Sequence, residues 1–465
     1  MSTSRDASHG FAYTQDQFRQ IVEDTLAEAR RLGASDAGAE VSEGMGLSVS
    51  VRKGELENVE RNRDKSLGVS VYLGQRRGNA STSDFSPAAI RQTVQAAYDI
   101  ARFTAEDPAA GLPDAQDLAG TEEAARDLDL YHPWDIDAAQ AAAIAHRCED
   151  AALAVSPLIT NSEGAGVSAQ QAHFWAGNTR GFRGGYASSR HYVSVSPIAS
   201  RPAGKGGRRQ DMQRDAWYTS MRDANELAQP EAVGIYAAER ALARLGSRRV
   251  STGEVPVLFE APVAAGLVSS FVGGVSGGAL YRKASFLVDA LGKQVLAEHL
   301  DLDEDPHERK GKGSAPFDDE GVRTRARRVV EGGVVQGYFL SSYSARKLGM
   351  RTTGHAGGSQ NLSLTSRLTQ PGDDLDAMLA KLHRGLFVTE LMGQGVNMVT
   401  GDYSRGAAGF WVEGGRIVHP VHEVTIAGNL KDMLRDIVAV GADRYTQGSK
   451  TVGSVLVARM KLAGA

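Results

Sequence analysis

The sequence predicts a turn-rich protein that combines helices and β-strands, of the α/β or the α+β class. Glycine supplies 53 of the 465 residues, and these glycines are spread along the chain between Val, Ser and Leu, as turns and bulges between strands require. Apolar residues recur at helical spacing in some segments and alternate with polar residues in others. No fixed repeat period is visible, so a repeat architecture is not expected.

Composition excludes several classes of protein. The formal net charge is -4 and the pI is near 6.3, so the basic balance of a dedicated nucleic-acid binder is missing. The single cysteine rules out an internal disulfide framework and a multi-cysteine metal site. No run approaches the roughly 18 apolar residues of a membrane-spanning helix, and the N-terminal residues lack the apolar segment of a secretory signal. We therefore expect a cytoplasmic protein that does not enter a membrane.

The first segment, residues 1–120, is predicted as a helix–sheet–helix unit. Thr14 is a helix cap, Lys53 and Gly54 form a tight turn between strands, and Ser86 with Pro87 begins a second helix. Residues 105–120 are acidic and contain Pro and Gly, which is typical of a linker. The predicted elements are helices at about 14–33 and 86–104 and strands at 47–53, 55–62, 66–73 and 79–83.

The second segment, residues 121–249, is predicted as a central helix followed by a β-meander. An alanine-rich helix occupies about 137–154 and contains Cys148. Alternating strands begin beyond Asn161, and glycine-rich hairpins interrupt them. Pro230 begins another helix, and a boundary follows it. The hairpins lie at 176–185 and 202–209, the second helix at 230–245 and the boundary at 246–254.

The third segment, residues 250–465, is predicted as rich in strands. It begins with a strand at 256–261, and a Gly/Ser-rich helical stretch follows at 263–280. Residues 301–321 are predicted as a long polar loop. Further elements are strands within 327–340 and 409–421 and a helix at 376–382.

Two metal-like patterns fail on their mechanics. The run Asp301, Asp303, Asp305 starts like a calcium loop, but Pro306 stands where the sharp turn needs glycine and Lys312 where a bidentate Glu is needed. A solvated loop is favoured. A second pair, His419 and His422, is three residues apart with Pro420 between them, and no third ligand is near in sequence. Two surface histidines at a strand end are favoured. No nucleotide-binding glycine loop, HExxH helix or GxSxG elbow occurs.

Charged clusters leave two interpretations open. Arg323, Arg325 and Arg327 alternate, so in a strand they would share one face and could guide nucleic acid or an acidic chain. The alternative is the solvent side of a half-buried strand. The acidic run Asp318–Glu320 before Gly321 is predicted as a tight turn that caps backbone amides, or as ion-pair partners of those arginines.

Several phrases resemble one family specifically. They are GGALYRKASFLVDALGKQV, DEDPHERKGKGSAPFDDEGV, GYFLSSYSARKLGMRTTGHA, NMVTGDYSRGAAGFWVEGGRIVHPV, TIAGNLKDML, GVSVYLGQRRGNASTSDFS and TNSEGAG. Together they resemble the TldD/TldE family, also called PmbA or modulator of DNA gyrase, over nearly the whole chain from about Ala39 onward. The resemblance implies an α+β fold: an N-terminal α/β part with helices on a mixed sheet and a hairpin-rich segment, and a C-terminal, largely antiparallel β-rich domain.

The resemblance also implies a chemistry. The TldD branch is a zinc metallopeptidase with a His-Glu pair on a helix, a second His four residues beyond that Glu, and a cysteine near the C-terminus. Imidazoles and a thiolate hold zinc, and the Glu deprotonates the attacking water. Here Ser269 and Gly274 stand where ligands are expected, Ser270 stands where the base is expected, and the only cysteine, Cys148, lies in the other half of the chain.

The chain is therefore similar to the TldE/PmbA branch, the partner that lacks its own zinc site. This implies no cofactor on this chain, zinc on a TldD-type partner, and an extended peptide or unfolded protein as substrate. A homodimer in isolation stays open, no membrane is expected, and nucleic acid is not expected as a partner. The family-motif residues expected near the peptide channel are Ser285, Phe286, Asp318, Asp319, Glu320, Gly321, Gly401, Asp402 and Ser404.

Two alternatives stay open at this point. The chain could be a hydrolase in its own right that uses an unrecognised site, for which Ser285, Asp318, His355 and Asp402 are the available polar residues. It could also be a regulatory protein that contacts nucleic acid or gyrase through its arginines, in which case its affinity would fall steeply with salt.

Overall fold

A computed structural model describes residues 10–202 and 211–464. Ten α-helices lie in this part of the chain. They are α1 Gln15–Arg31, α2 Pro87–Phe103, α3 Thr121–Ala124, α4 Ala138–Ala154, α5 Pro230–Ala243, α6 Ala261–Gly274, α7 Gly277–Tyr281, α8 Ser342–Lys347, α9 Leu375–Leu382 and α10 Leu430–Arg435.

Twenty strands accompany these helices in the same described ranges. The strands of the N-terminal half are β1 Asp36–Arg52, β2 Glu55–Leu73, β3 Arg76–Thr82, β4 Ile159–Asn178, β5 Arg183–Gly184, β6 Ala187–Arg201, β7 Asp211–Arg214 and β8 Trp217–Met221. The strands of the C-terminal half are β9 Gly253–Phe259, β10 Leu300–Asp305, β11 Arg327–Glu331, β12 Val334–Val335, β13 Asn361–Ser366, β14 Gly385–Met392, β15 Asp402–Glu413, β16 Arg416–Asn429, β17 Ile437–Val440, β18 Tyr445–Gln447, β19 Lys450–Val452 and β20 Val455–Ala463.

One antiparallel sheet joins the first two sequence segments. Its order is β3-β2-β1-β4-β6-β7, with β5 paired to β4 and β8 paired to β6. Because β1 pairs with β4 over nearly its full length, residues on both sides of position 120 share one sheet. Helices α1, α2, α4 and α5 cover one face of this sheet and bury its apolar side chains in two clusters.

The two faces of this sheet differ because side chains alternate along a strand. On β1, Ala39, Val41 and Val49 point to the helices and are buried. Glycine, serine and one glutamate alternate with them on the opposite face, which points toward the C-terminal half. The resulting inner face is open and polar, and its members on β1 are Gly38, Glu40, Ser42, Gly44, Gly46, Ser48 and Ser50.

The C-terminal half contains a sheet and a closed barrel around one large core. The sheet has the order β12-β11-β10-β13-β19-β18. The second array has the order β16-β15-β14-β9-β20-β17, and an additional pairing of β16 with β20 closes five of its strands into a ring. Most pairings are antiparallel, and β9–β14 and β13–β19 are the parallel ones among the described strands. Helix α6 packs against β14, β18 and β19, and its apolar side lies in the core. The α+β class is confirmed.

The predicted linker lies against the C-terminal half, and we call residues 105–120 the strap. The Arg346 guanidinium donates to the carbonyl oxygens of Ala109 at 3.2 Å, Gly111 at 3.0 Å and Leu112 at 2.5 Å. Asp107 receives hydrogen bonds from Tyr343 and Lys347, both at 2.7 Å. Arg180 of the N-terminal half also donates to the Leu112 and Pro113 carbonyls. The strap is therefore tied to both halves of the chain and is not a free connection.

The helices predicted at 14–33, 86–104, 137–154, 230–245 and 376–382 are confirmed within about two residues at each end, because caps and turns mark them locally. Several strands are longer than predicted, and β1 begins at Asp36 instead of 47. Thr14, Ser86 and Asp137 each cap the helix predicted to begin there. The strands predicted at 55–62 and 66–73 form the single strand β2. The hairpin predicted at 202–209 lies almost wholly outside the described residues. Among the described helices, none is long and apolar enough to cross a membrane.

The polar loop predicted at 301–321 is wrong at its start. Residues 300–305 form β10, which pairs with β11 on one side and β13 on the other. Glu304 is buried at 1% exposure, and its carboxylate receives hydrogen bonds from Arg327 at 2.8 Å and His355 at 2.9 Å. Asp303 pairs with Arg328 on β11, and Asp301 pairs with Arg367 just beyond the end of β13. A charged run becomes an inner strand because Asp301, Asp303 and Glu304 each pair with an arginine that comes later in the chain, while Asp305 at its end is exposed.

Candidate functional site

A cavity of about 900 Å³ lies between the inner face of the N-terminal sheet and the C-terminal half. Strands β1, β2 and β4 form its floor, the strap forms one wall, and the turn at 317–321 forms another. Phe174, Phe182, Tyr186 and Phe317 pack edge to face along one side. The cavity is large enough for several residues of an extended peptide and combines polar, aromatic and acidic surface.

The turn at 317–321 is built around the Asp318 carboxylate. Oδ1 accepts hydrogen bonds from the backbone N–H groups of Glu320 at 3.0 Å and Val322 at 2.9 Å, and Oδ2 accepts one from Ala356 at 2.9 Å. Gly321 has a φ of +78°, and a Cβ there would lie 2.5 Å from the Phe182 ring. The predicted capped turn is confirmed, and it directs Asp319 and Glu320 toward the cavity.

The alternative prediction, that these carboxylates pair with the neighbouring arginines, is wrong. Among the described residues, no ion pair involves residues 318–320, and Glu320 instead accepts a hydrogen bond from the Ser342 backbone N–H at 2.8 Å. Arg323 donates to the Leu118 carbonyl at 2.7 Å, and Arg327 is bound to Glu304. Of the three alternating arginines, only Arg327 lies in a strand. A continuous arginine face for nucleic acid is therefore not formed.

Carboxylates from two parts of the fold meet at the cavity. Glu40 projects from β1, Asp319 projects from the turn, and solvent reaches both side chains. Burial raises the pKa of Glu40, and the charge of Asp319 adds to that rise. Burial also raises the pKa of Asp319, with Glu320 adding to it, and raises the pKa of Asp318 to about 7. A low-dielectric wall and like charges thus make the ionised forms unfavourable unless a cation binds nearby.

The positive charge in the lining does not neutralise these groups. Among the described residues that line the cavity there are five carboxylates, those of Glu40, Asp107, Asp318, Asp319 and Glu320, and one arginine. That arginine, Arg77, donates to Asn79 Oδ1 at 2.9 Å and to Ser70 Oγ at 3.2 Å. Asp107 is paired with Lys347 and Asp318 is bound to backbone amides. Among the described residues, the unpaired negative charge that the site offers to a ligand is therefore that of Glu40, Asp319 and Glu320.

The positions predicted as a degenerate zinc motif lie on helix α6. The Ser269 hydroxyl donates to the Ala265 carbonyl and the Ser270 hydroxyl donates to the Gly266 carbonyl, both at 3.0 Å. Gly274 ends the helix against two apolar side chains, and a Cβ at this position would lie 2.9 Å from the Phe286 ring and 3.0 Å from Leu287. The helix persists through both serines, and its last turn is closed by packing.

The remaining predicted residues divide into two groups. Ser285 lies beside the end of α6: its hydroxyl donates to the Gly274 carbonyl and accepts from the Leu287 N–H. Phe286 is buried against Gly274 and Gly401. Asp402 and Ser404 are exposed at the start of β15. Of all the predicted residues, Asp318, Asp319, Glu320 and Gly321 line the cavity.

The residues proposed for a stand-alone hydrolase are not joined. Ser285 is bound to backbone groups, and Asp318 holds backbone amides. His355 contacts Glu304, and Asp402 accepts from Thr400 at 2.7 Å and Asn429 at 3.1 Å. Within the described part of the chain, no hydrogen bond connects any two of the four. The two C-terminal histidines, His419 and His422, lie within β16, so their predicted place at a strand end is wrong, and both are partly exposed.

Sequence reasoning missed Glu40. Its signal was present but weak: in AGAEVSEG it is the one charge on a strand face that otherwise carries glycine and serine. Within residues 10–202 and 211–464, no three His, Cys, Asp or Glu side chains are placed to hold a metal ion together.

Comparison with known proteins shows the family of this chain. Three family models match successive parts of the chain: PmbA/TldA metallopeptidase domain 1 at residues 39–101, the central domain at 131–245 and the C-terminal domain at 252–464. The metalloprotease PmbA of Escherichia coli O157:H7 is 49% identical over 450 residues, which cover 96% of this chain and 97% of that protein. This chain belongs to the PmbA/TldD metallopeptidase family.

Solved structures of PmbA/TldD relatives share the fold. A Bacteroides thetaiotaomicron protein described as a modulator of DNA gyrase matches with a TM-score of 0.88 at 25% identity, covering 97% of this chain and all of that one. TldE from Thermococcus kodakarensis matches with a TM-score of 0.80 at 18% identity, covering 96% of this chain and 100% of that chain, which shows the fold alone.

Proposed function

We propose that this chain is the non-catalytic, TldE/PmbA-type subunit of a two-subunit zinc metallopeptidase. In this role it pairs with a TldD-type catalytic chain and holds an extended, flexible peptide in the cavity beneath the N-terminal sheet. The observation that carries the proposal is the closed last turn of α6, where Phe286 and Leu287 occupy the space that a ligand at Gly274 would need.

The residues of α6 do not fit a zinc ion. Glycine offers no donor atom, and both serine hydroxyls are spent on carbonyls of their own helix. Cys148 is fully buried in the apolar cluster beneath α4 and α5, and burial raises the pKa of its thiol to about 12, which disfavours the thiolate that binds metal. No catalytic step through zinc is therefore assigned to this chain, and the metal belongs to the partner in this proposal.

The cavity supports a peptide-holding role. Small residues such as Gly38 and Ser42 leave space above the strands that form the floor, so an extended peptide backbone has room to lie across them. Polar side chains that line the cavity, such as Ser42 and Ser81, can hydrogen-bond the backbone of a peptide lying on the floor, which gives affinity with little sequence preference and suits a flexible substrate. The unpaired charges of Glu40 and Asp319 favour peptides with cationic side chains. We place this activity in the cytoplasm, where a lone buried thiol stays reduced.

Reconstitution tests the proposal. The untagged chain, a TldD-type chain and their equimolar mixture are each assayed on an unstructured, lysine-containing peptide, and zinc is counted after mild dialysis. We expect no zinc and no cleavage with this chain alone, and faster cleavage by the mixture than by the TldD-type chain. A mixture no faster than that partner would refute the subunit role. Zinc near one per chain, or cleavage that survives chelation, would make this chain an enzyme itself.

A further inference from the structure

The first half of β2 is a free sheet edge, and we call residues 55–66 the β2 edge. Strand β1 pairs with it on one side along its whole length, while β3 on the other side begins to pair only at Leu67. Ten consecutive residues, 55–64, are exposed. Among the described residues, none pairs with the outer side of the β2 edge, so its outward backbone N–H and C=O groups are available to another strand.

Charge is distributed unequally along the β2 edge. Residues 55–60 contain three glutamates and no basic residue, whereas residues 61–65 contain two arginines, one lysine and a single aspartate. If two copies of this edge run antiparallel about an axis between Glu60 and Arg61, the acidic half of each lies opposite the mainly basic half of the other, and Glu57 opposite Asp64 is the one pair of like charges. Parallel pairing would place like charges together, which destabilises a sheet. The pattern is thus self-complementary in one direction only.

Two apolar side chains on the β2 edge add a reason for it to be covered. Leu56 is 56% exposed and Val59 is 42% exposed, although in register they lie beside the buried Val51 and Val49 of β1. No described helix covers them, since α2 packs on β2 and β3 and α4 packs on β1. In the proposed pairing Val59 lies opposite Asn62 of the second copy, so the second strand would cover part of its exposed side chain.

We propose that two copies of this chain pair through their β2 edges, antiparallel, about a twofold axis near Glu60 and Arg61. The contact is isologous, since the same residues serve in both copies, and it joins two eight-stranded sheets into one continuous sheet. Arg63 is 50% exposed although it also lies 3.7 Å from Glu43, so its outer side is available for the second copy.

Charge variants of the full-length chain test this pairing by sedimentation equilibrium. The wild type is expected to have about twice the chain mass of 49.4 kDa, with weaker association at high salt. The triple variant Glu55→Lys, Glu57→Lys, Glu60→Lys and the double variant Arg61→Glu, Asn62→Glu are each expected to self-associate at least about tenfold more weakly, because opposed charges become alike. An equimolar mixture of the two variants is expected to restore a dimer.

A matched control separates the edge from net charge. Glu122, Glu239 and Glu254 are exposed glutamates elsewhere, and changing all three to Lys alters the net charge as much as the triple edge variant does while leaving the dimer intact. A monomeric wild type would overturn the proposal, as would a dimer that survives both edge variants, a mixture that stays monomeric, or equal loss in the control. A wild type that uses this edge only with a TldD-type chain would overturn self-pairing as well.

Discussion

The last turn of α6 offers a matched pair of adjacent glycines that test whether this site is closed. Gly273→Ala and Gly274→Ala add the same methyl group to the same helix. At Gly273 the new Cβ would meet the flexible end of Met398 at 3.0 Å, whereas at Gly274 it would meet the Phe286 ring at 2.9 Å and Leu287 at 3.0 Å. Ordinary contacts between carbon atoms are about 3.5–4.0 Å, so both are tight and only the first is easily relieved.

The two residues facing Gly274 are held in place. The Phe286 N–H donates to the Met398 carbonyl at 2.8 Å, and the Leu287 N–H donates to the Ser285 hydroxyl at 2.8 Å. Replacing Gly by Ala gains about 1 kcal/mol in a helix interior and less at its end, while overpacking a core typically costs about 1–3 kcal/mol. We therefore expect Gly273→Ala to be neutral or stabilising by up to about 1 kcal/mol, and Gly274→Ala to destabilise by about 1–2 kcal/mol.

Hydrogen exchange across residues 261–281 is the appropriate assay, because a chain of several units need not unfold in one step. Exchange in this segment should be roughly tenfold faster or more in Gly274→Ala than in Gly273→Ala, since about 1.4 kcal/mol corresponds to a factor of ten. Equal protection, or greater protection in Gly274→Ala, would refute the argument. A histidine ligand at position 274 would need much more space than the methyl group of alanine. If even the methyl group were tolerated there, the argument that packing closes this end of α6 to a metal ligand would fail.

Three further predictions address the cavity, the buried histidines and the strap. The double variant Glu40→Gln, Asp319→Asn should bind a lysine-containing peptide about tenfold more weakly, an ion-pair loss of about 1.4 kcal/mol, while Glu122→Gln serves as an exposed control; unchanged affinity in a titration would contradict the role of these carboxylates. Burial lowers the pKa of His191, so its contribution to stability is present above its ordinary value of about 6.5 and is lost as pH falls. The variant His191→Gln should therefore lose less stability than the wild type as the pH falls, by up to about 1.4 kcal/mol of unfolding free energy one pH unit below 6.5. Urea unfolding across this pH range measures the difference, and a larger loss in the variant would contradict this. Arg346→Met should leave the Ala109 and Gly111 carbonyls without this donor, while Arg180 still donates to the Leu112 carbonyl. The strap should then become a preferred site of limited proteolysis, whereas resistance equal to wild type would count against the strap being held by Arg346.

The sequence was most informative where structure is decided locally. Helix starts at Thr14, Ser86 and Asp137 were predictable because a capping side chain and the amide it accepts from lie within three residues of each other. The tight turn at Asp318 was predictable for the same reason. These features need no knowledge of the rest of the fold.

Distant partners explain what could not be predicted. Glu304 looked like part of a solvated loop, because a charge among charges is normally exposed, and its partners His355 and Arg327 come 51 and 23 residues later. Glu40 and Asp319 approach one another only after the two halves pack together. No local sequence pattern predicts that Glu40 and Asp319 come together, and only the family resemblance pointed to Asp319.

The strap has a consequence for the order in which this protein is made. Arg346, which holds the strap carbonyls, follows Ala109 by 237 residues in the chain. At about 5–20 residues per second, a ribosome exposes the strap roughly 10 to 50 s before it supplies that arginine. During this interval the polar inner face of the nascent sheet lies uncovered, and the acidic turn that completes the cavity is absent. Because the inner face carries mainly glycine and serine, it exposes little apolar surface, and the unfinished half can remain in water with little tendency to aggregate.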